Sequence, residues 1–569
     1  MSGHLKALSV VTSCLLVNTF LSLAVRAGVP DPRTTILVGV WGYPPAPDDP
    51  ADPFPRFTGS GTPDWFVANY RALKVNYYSY DSIKAAGIDM IMTPLGVNLQ
   101  NEGHCFATVR AANAARLFCL PLHPDVYGQR ESDHPDVARV RRALSNPVWA
   151  TPEDSSVIGW YICDEPQNDR EVDKALRLDS LLRAQLTEIG PLAGKDWLTF
   201  LGWFVWNDSL RIARILRGIG TTGAGGPAVI GHEAFRFMNP DAAENPQIYP
   251  MDWLNASLAR FYRTVRDNAP GTPWWSVTHV TDEFGMGGPC VWYPYGVIDE
   301  ASLRMDVFTR LGWGAKGIVY LTYSHYIDAI VLPDYENCRP TGRTRVYDGR
   351  YWGADWADRH HTRRYARFPG VFTSEWSSET MSYRPTGFGA IYRHIRAVNA
   401  DVARIRPYLG PAEIFHPVMS EPPAVGGPYP TRSFFVYGVS AWEPDSVMRP
   451  FKSGWGERDK AAVLVTPLRN GRDYYLLIVN QNIRYREGTV FESIRTGEAG
   501  ASAFVTVRIN AELIGGGGGY VAKNLVTDSI TKRLIPSGHF VTLFDTLDTG
   551  EFRMYQIVKD ASSHVGRLR

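Results

Sequence analysis

The chain has 569 residues, of which 44% are hydrophobic and 21% charged, and its formal net charge at pH 7 is +1. This length exceeds one ordinary domain and the composition is that of a globular protein, so we expect two or three domains. The near-neutral charge lacks the strongly basic balance typical of nucleic-acid-binding proteins, and no nucleic-acid partner is expected.

The first residues have the pattern of a secretory signal peptide. Lys6 supplies a positive start, residues 8–25 are mostly apolar, and Val25-Arg26-Ala27 has the form of a cleavage site. Polar residues interrupt the apolar run and prolines follow it, which disfavours a retained transmembrane anchor. We interpret residues 1–27 as a signal peptide and expect a secreted or periplasmic mature protein. Removal of this segment, which contains two basic and no acidic residues, changes the formal charge from +1 to −1.

Strand and helix patterns alternate through the first two thirds of the chain. The predicted strands are 36–41, 88–92, 117–122, 157–163, 197–205, 228–235, 274–280 and 317–323. The helical segments between them are 80–86, 106–115, 137–144, 172–189, 212–216, 254–265 and 303–311. Eight such units over roughly 300 residues predict an α/β fold of the (β/α)8 TIM-barrel type. The rival, a doubly wound open sheet, would have a glycine-rich phosphate turn after its first strand, and residues 42–45 (Gly-Tyr-Pro-Pro) do not form one.

The rest of the chain divides into three predicted parts. A long loop, 324–385, is rich in aromatic and basic residues, which favours an ordered rim or lid over the barrel. The helix 388–405 completes a catalytic barrel predicted to span 28–407. From 408 to 569 only strand patterns separated by turns occur, which predicts an all-β sandwich domain.

The predicted fourth strand ends in two adjacent carboxylates. Asp164 and Glu165 follow an apolar run and are followed at once by Pro166. The carboxyl ends of barrel strands carry the catalytic residues of TIM-barrel enzymes, so catalysis is favoured over a helix-capping role for the two acids. Glu165 is predicted to be the acid, because burial beside an apolar strand raises a carboxyl pKa.

Hydrolysis of a glycosidic bond needs a second carboxyl group facing the sugar. Glu283, after the predicted seventh strand, is the first choice for the catalytic partner of Glu165, and Glu233, in the sixth, is the second. Asp282 and Asp164 are further alternatives.

Side chains near predicted strand ends are candidates for sugar contacts by ring stacking or hydrogen bonding. They are Trp41, Tyr43, His123, Trp203, Trp206, His232, His279, Trp292, Tyr323 and His325.

Several other chemistries are disfavoured by the sequence. No HxH, HExxH or CxxC pattern indicates a metal site, so we expect neither a metal nor another cofactor. No GxSxG pattern indicates a serine hydrolase of the usual type. Of the cysteines beyond the signal segment, Cys290 and Cys338 are the first guess for a disulfide, and Cys163 is predicted to be a small buried residue.

Three short segments resemble TIM-barrel glycoside hydrolases of the broad β-galactosidase-like clan. They are the Asp-Glu-Pro strand end at 159–166, the approach to the eighth strand at 311–320 and the C-terminal strand at 475–480. The resemblance implies a barrel with a C-terminal sandwich and a retaining glycosidase, with Glu165 as acid/base and Glu283 as nucleophile. The adjacent Asp164 and Glu165 also resemble the pair of substrate-assisted hexosaminidases, in which the Asp steadies an acetamido group.

The predicted function is therefore hydrolysis of O-glycosidic bonds in an oligo- or polysaccharide, with a carbohydrate as the binding partner. Substrate-assisted hydrolysis and a non-catalytic carbohydrate-binding barrel remain the alternatives. A close approach between Glu165 and a second carboxyl group separates the catalytic from the non-catalytic interpretation.

Overall fold

The computed structural model describes the chain in segments. They are residues 30–41, 80–92, 102–146, 156–189, 198–204, 209–219, 228–234, 250–280, 284–288, 291–294, 300–321, 329–336, 339–348, 372–377, 382–422, 427–442, 462–481, 483–484, 499–500, 502–516, 518–527 and 531–560. The predicted signal peptide lies outside them.

An eight-stranded parallel sheet forms the first half of the molecule. Its strands are β1 (Leu37–Trp41), β2 (Met90–Ile91), β3 (Phe118–Cys119), β4 (Gly159–Tyr161), β5 (Leu198–Phe204), β6 (Ala228–Glu233), β7 (Trp274–His279) and β8 (Gly317–Leu321). Their order is β3-β2-β1-β8-β7-β6-β5-β4. A parallel bridge between Cys119 and Val157 joins β3 to the residues that precede β4, which closes the sheet into a barrel. The predicted TIM barrel is confirmed.

Helices surround this barrel, because each connection between parallel strands must return across the outside of the sheet. They are α1 (Tyr80–Ala85), α2 (Glu102–Ala114), α3 (Pro124–Tyr127), α4 (Val137–Leu144), α5 (Asp169–Glu188), α6 (Ser209–Ile219), α7 (Pro250–Asn268), α8 (Glu300–Gly312) and α9 (Ala390–Leu409). No helix in the described part of the chain combines the length and apolar character needed to cross a membrane.

Aromatic side chains fill the barrel interior. The ring of Phe200 lies 5.2 Å from that of Tyr161, 4.8 Å from that of Trp203 and 5.5 Å from that of Trp275, between centroids. Trp203 on β5 lies against Gly231 on the neighbouring strand β6. A Cβ atom at Gly231 would come within 2.2 Å of the Trp203 ring, so only glycine fits at this position. The barrel is thus a packed core, and ligands have access only to its ends.

The segment between β8 and α9 contains two antiparallel strand pairs within the predicted long loop. Ala329–Glu336 pairs with Arg339–Asp348, and Phe372–Ser377 pairs with Ser382–Phe388. Helix α9 then packs beside α1, since Asn399 donates to the Ala86 carbonyl at 2.8 Å. It ends at Leu409, two residues beyond Pro407, where the strand-only pattern begins.

The C-terminal part consists of antiparallel sheets, as predicted. A seven-stranded sheet contains Glu413–Ile414, Val418–Met419, Val463–Asn470, Asp473–Asn480, Tyr520–Asn524, Thr531–Arg533 and Phe552–Lys559. A four-stranded sheet contains Val436–Trp442, Ala503–Asn510, Ile535–Ser537 and Phe540–Leu547. Residues from both sheets share one apolar core, including Val465, Ile478, Val507 and Leu543, so they pack as a sandwich. Two smaller strand pairs, Phe284–Gly288 with Val291–Pro294 and Ile483–Arg484 with Ala499–Gly500, lie outside these sheets.

The sandwich packs on α8, which lies between it and the barrel strands. Phe308 of α8 stacks on Phe552 with ring centroids 3.5 Å apart. Nearby, Trp313 Nε1 donates to Asn255 Oδ1 at 2.9 Å. Lys316 Nζ donates to the carbonyl oxygens of Leu409, Gly410 and Ala412 at the end of α9. The Gly-Trp-Gly-Ala-Lys-Gly segment at 312–317 is therefore structural and joins the barrel to the sandwich.

Candidate active site

Asp164 and Glu165 lie just beyond the carboxyl end of β4. The Tyr161 hydroxyl donates to Asp164 Oδ1 at 2.8 Å and holds this side chain against the barrel interior. Burial, together with the charge of Glu165, raises the pKa of Asp164 to about 6. Glu165, by contrast, is exposed. The two neighbouring acids therefore have different environments.

The backbone at Glu165 is strained. Its φ is +24°, which is unusual for a non-glycine residue, and Pro166 further restricts its conformation. Such a conformation costs about 1–3 kcal/mol and persists only where the surroundings impose it. Here Gln167 Nε2 donates to the Glu165 carbonyl and Arg211 donates to the Pro166 carbonyl, both at 2.8 Å. The turn formed by Asp164, Glu165 and Pro166, the acidic turn below, is thus held in this conformation by hydrogen bonds from Gln167 and Arg211.

Helix α5 begins directly after this turn with its own capping residues. Asn168 is the N-cap, and its side chain accepts from the Glu171 backbone N–H at 3.0 Å. Glu171 in turn accepts from the Gln167 backbone N–H at 2.6 Å, which completes a reciprocal cap. Asp164 and Glu165 take no part in it, so the helix-capping interpretation does not describe them.

Strand β5 supports the acidic turn through a bulge at Gly202. The β5–β6 register shifts between Phe200 and Trp203, and Gly202 has φ +106°. A Cβ atom there would lie 3.0 Å from Cys163 Sγ and 3.2 Å from Pro166 Cδ. Glycine is required both by the left-handed conformation and by the close approach of the turn.

Replacing Gly202 by Ala is expected to displace the acidic turn. The added methyl group meets Cys163 and Pro166, so we expect a loss of about 1–3 kcal/mol in unfolding free energy and a fall in any hydrolytic kcat. Denaturant unfolding and turnover check both effects. Gly271→Ala is the matched control, because Gly271 also has positive φ (+90°) but no neighbour within 4 Å of an added Cβ. Equal losses in the two variants would contradict a supporting role for the bulge.

Glu233, the last residue of β6, lies beside the turn after β4, with one strand, β5, between the two. Burial, followed by the charge and hydrogen bonding of Glu165 and then the charge of Asp164, raises the pKa of Glu233 to about 9. Its Oε2 atom is buried and meets no hydrogen-bond donor in the described part of the chain, so an ionised carboxyl would be costly there. Glu165 and Glu233 therefore form an interacting carboxyl pair in which Glu233 carries a proton at neutral pH.

A cleft of about 530 Å³ opens onto the acidic turn. It is lined by Tyr127, Arg130, Cys163, Asp164, Glu165, Pro166, Glu171 and Lys174. The guanidinium of Arg130 lies 4.0 Å above the centre of the Tyr127 ring, which orients it along one wall. The cleft thus offers carboxylates, cations and an aromatic ring to a polar ligand.

The structure places the other predicted contact residues in different settings. Trp41 is half-buried at the end of β1 and stacks on Trp203 with ring centroids 5.4 Å apart, while Trp203 is only 1% exposed. Trp203 is therefore part of the barrel core. His123 is buried and its Nδ1 accepts from the Asp125 backbone N–H at 3.1 Å, so it begins α3. Trp41 alone among these three has an exposed fraction that a ligand could cover.

His232 also serves the barrel wall. It is fully buried, its Nδ1 lies 2.9 Å from Ser276 Oγ, and its Nε2 lies 2.8 Å from Ser257 Oγ. Burial, followed by the charge of Arg310, holds its pKa well below the usual value, so the ring is neutral. The alternation of side chains along β6 explains why His232 faces α7 while Glu233 does not.

Several predictions fall on residues that the structure leaves undescribed. Tyr43, Trp206, Asp282, Glu283, Tyr323 and His325 lie outside the described segments, and for His279 and Trp292 only the strand is described. Cys290 and Cys338 are likewise outside, so their pairing remains a prediction, while Cys105, Cys119 and Cys163 are buried. Within the described segments, no group of three or more His, Cys, Asp or Glu side chains is arranged to hold a metal ion.

Compared with solved structures, the chain resembles several glycoside hydrolases in overall architecture. AmyP in complex with maltose is 11% identical, with 92% of this chain and 96% of that chain covered and a TM-score of 0.45. A glycoside hydrolase family 5 protein from Bacteroides vulgatus is 11% identical, with 94% and 91% covered and a TM-score of 0.39. The GH51 arabinofuranosidase from Xanthomonas axonopodis pv. citri is 9% identical, with 94% and 97% covered and a TM-score of 0.38.

The sequence matches no family model and no curated protein. The structural likenesses are too weak to transfer an activity to this chain, so the side chains at the barrel end carry the functional argument.

Proposed function

We propose that the protein is a glycoside hydrolase whose catalytic carboxyl groups are Glu165 and Glu233. The observation that carries this proposal is the proximity of the two groups at the barrel end, with the pKa of Glu233 raised to about 9. Glycosidases require one protonated and one ionised carboxyl group beside the scissile bond. An interacting pair that holds a single proton at neutral pH meets this requirement.

The environments of the two side chains assign their roles. Glu233 is buried and protonated, which suits a general acid, while Glu165 is exposed to the cleft and its negative charge acts on Glu233. The burial that the sequence argument expected at Glu165 occurs at Glu233 instead. In this proposal Glu165 is therefore the nucleophile and Glu233 the acid, which reverses the role that the family resemblance implies for Glu165.

The reaction proceeds in two displacements. Glu233 donates its proton to the glycosidic oxygen as the bond from that oxygen to the anomeric carbon breaks, and the Glu165 carboxylate bonds to the same carbon. Water then attacks this carbon, returns a proton to Glu233 and releases Glu165. Carboxyl groups in direct interaction are closer than the roughly 6.5–9.5 Å of inverting enzymes, which favours retention of anomeric configuration.

Asp164 orients the site in this proposal. Its tie to Tyr161 fixes it beside Glu165, and the rise of its pKa to about 6 leaves it ionised at neutral pH. In the substrate-assisted alternative, Asp164 would instead bind an acetamido group of the sugar. That mechanism predicts hydrolysis of N-acetylhexosaminides only, since no other sugar carries the internal nucleophile.

The proposed substrate is an oligo- or polysaccharide outside the cytoplasm. The signal-like residues 1–27 support export, and the half-buried ring of Trp41 at the barrel end suits the apolar face of a sugar ring.

Hydrolysis of a panel of aryl glycosides, followed by NMR of the first-formed anomer, tests this function. We expect turnover of at least one glycoside with retained configuration. Inverted product would contradict the double displacement, and activity confined to N-acetylhexosaminides would favour substrate assistance. Sugar binding without hydrolysis of any glycoside or polysaccharide tried would favour the non-catalytic alternative.

A further inference from the structure

A fully buried arginine lies behind the barrel strand that carries Glu233. Arg310 of α8 has no exposed surface, and its side chain is paired with Asp306 on the same helix at 3.1 Å. Moving such a pair out of water is unfavourable unless further hydrogen bonds compensate, so a buried ion pair is weak evidence for stability. The role of the buried Arg310–Asp306 ion pair must therefore be inferred from the other contacts of Arg310.

Arg310 binds the residue that follows Glu233. Its Nη2 donates to the carbonyl oxygen of Ala234 at 2.7 Å, across 76 positions of sequence. The planar guanidinium directs this contact while Nε still donates to Asp306 Oδ1 at 3.2 Å. The backbone on the C-terminal side of Glu233 is thus tied to α8.

The residue that precedes Glu233 is held by the same arginine through a serine. Arg310 Nη1 donates to Ser276 Oγ on β7 at 2.7 Å, and this oxygen lies 2.9 Å from His232 Nδ1. Because Ser276 Oγ accepts from Arg310, its proton is available to the neutral His232 ring, whose other nitrogen lies 2.8 Å from Ser257 Oγ. Thr278 on β7 also contacts Asp306.

We propose that Arg310, held by Asp306, is a positioning residue that clamps both backbone neighbours of Glu233 and so sets the approach of the Glu233 carboxyl to Glu165. It does not touch the substrate. The proposal rests on the proposed function only for its effect on turnover, because the placement of Glu233 beside Glu165 is observable without catalysis.

The clamp explains how a strand end keeps a protonated acid in place. Among the described residues, Glu165 and Asp164 are the charged groups that act on Glu233, and both belong to the turn after β4. A shift of the β6 end by about 1 Å would weaken that interaction, and misplacement of this size can cost about 10²-fold in rate. Arg310 prevents the shift through two elements, α8 and β7.

Arg310→Lys tests the clamp. Lysine keeps the positive charge for Asp306 but does not reproduce the guanidinium fork that reaches Ala234 and Ser276 together. The readout is the infrared band of the protonated Glu233 carboxyl, identified at neutral pH as the band that Glu233→Gln removes. We expect its titration midpoint in Arg310→Lys to fall by at least one pH unit, kcat to fall by about 10²-fold and KM to stay within about twofold.

Arg304→Lys is the matched control. Arg304 lies on the same helix in a comparable ion pair with Glu300 and Asp401, but these partners are not on β6. Arg304→Lys should leave the Glu233 band and turnover unchanged.

An unshifted band in a folded Arg310→Lys protein overturns the clamp. A shifted band in a protein that hydrolyses no glycoside supports the clamp and contradicts the proposed function. If Arg310→Lys does not fold, Ser276→Ala is the second test. It removes the hydroxyl that links Arg310 to His232 and keeps the Arg310 contact with Ala234, and it must shift the band or the proposal fails.

Discussion

Glu165→Gln is expected to lower kcat by about 10³-fold or more while leaving the fold intact. The amide is isosteric with the carboxyl but cannot attack the anomeric carbon, and loss of a covalent nucleophile removes a large part of enzymic rate enhancement. Glu165 is exposed and its carbonyl, which the substitution does not alter, accepts from Gln167. We therefore expect a change of less than about 1 kcal/mol in unfolding free energy.

Azide added to alanine variants of Glu165 and Glu233 distinguishes the nucleophile from the acid/base residue. A small anion can take the place of a missing nucleophile, so Glu165→Ala with azide should form a glycosyl azide of inverted configuration. Azide added to Glu233→Ala should give the retained azide, because Glu165 still forms the covalent intermediate. Retained azide from Glu165→Ala would return Glu165 to the acid/base role. Glu188→Gln is a control, since Glu188 is exposed at the end of α5 and pairs only with Arg141 among the contacts described.

The barrel was predictable because its strands and helices have different hydrophobic periods. Strand β1, for instance, is a short apolar run, and α4 follows the predicted bounds of 137–144 without change. The short strands β2 and β3 were predicted with the right centres but too long, since only two residues of each meet the neighbouring strand. The apolar residues that flank these two strands are buried although they lie outside the paired register, so the length of the apolar run exceeds the length of the strand.

The carboxyl pair was predictable only in part. Strand order placed Glu165 and Glu233 at one end of the barrel, yet β4 and β6 are not neighbours, since β5 lies between them. Their approach depends on the bulge at Gly202 and on the turn after β4, neither of which has a local sequence pattern. Whether Glu283 also reaches the site stays a prediction.

The supporting residues could not be inferred from the sequence. Arg310 lies in the last turn of α8, where a basic residue is ordinarily explained by the helix dipole at an exposed end, and its partner Asp306 completes an i,i+4 pair typical of an exposed face. Burial of the pair follows from packing of α8 between the barrel and the sandwich. That packing is a property of the tertiary structure and has no signature within α8 itself.

Glu233→Gln is expected to make the protein more stable at pH 8 while lowering kcat by about 10²–10⁴-fold. The loss of activity should be greatest for substrates with poor leaving groups, because these need the proton most. An activated leaving group such as 2,4-dinitrophenolate departs without protonation and should lose far less. Equal losses for both kinds of leaving group would contradict the assignment of Glu233 as the proton donor.

The gain in stability follows from the direction of the pKa shift. The pKa of Glu233 is raised from an ordinary 4.5 to about 9 on folding, so the folded state binds the additional proton between these values. The free energy of unfolding therefore falls as pH rises from about 4.5 to about 9, and the amide variant lacks this loss. Thermal melts should show the Tm difference between variant and wild type widening from pH 5 to pH 8, by about 1 °C for each kcal/mol in a chain of this length.

Glu165→Gln should reproduce part of this effect, because it removes the neighbouring charge but leaves Glu233 buried. Its Tm at pH 8 is expected to lie between those of wild type and Glu233→Gln. If the Tm difference between Glu233→Gln and wild type did not change with pH, Glu233 would not carry the proton on which its catalytic role depends.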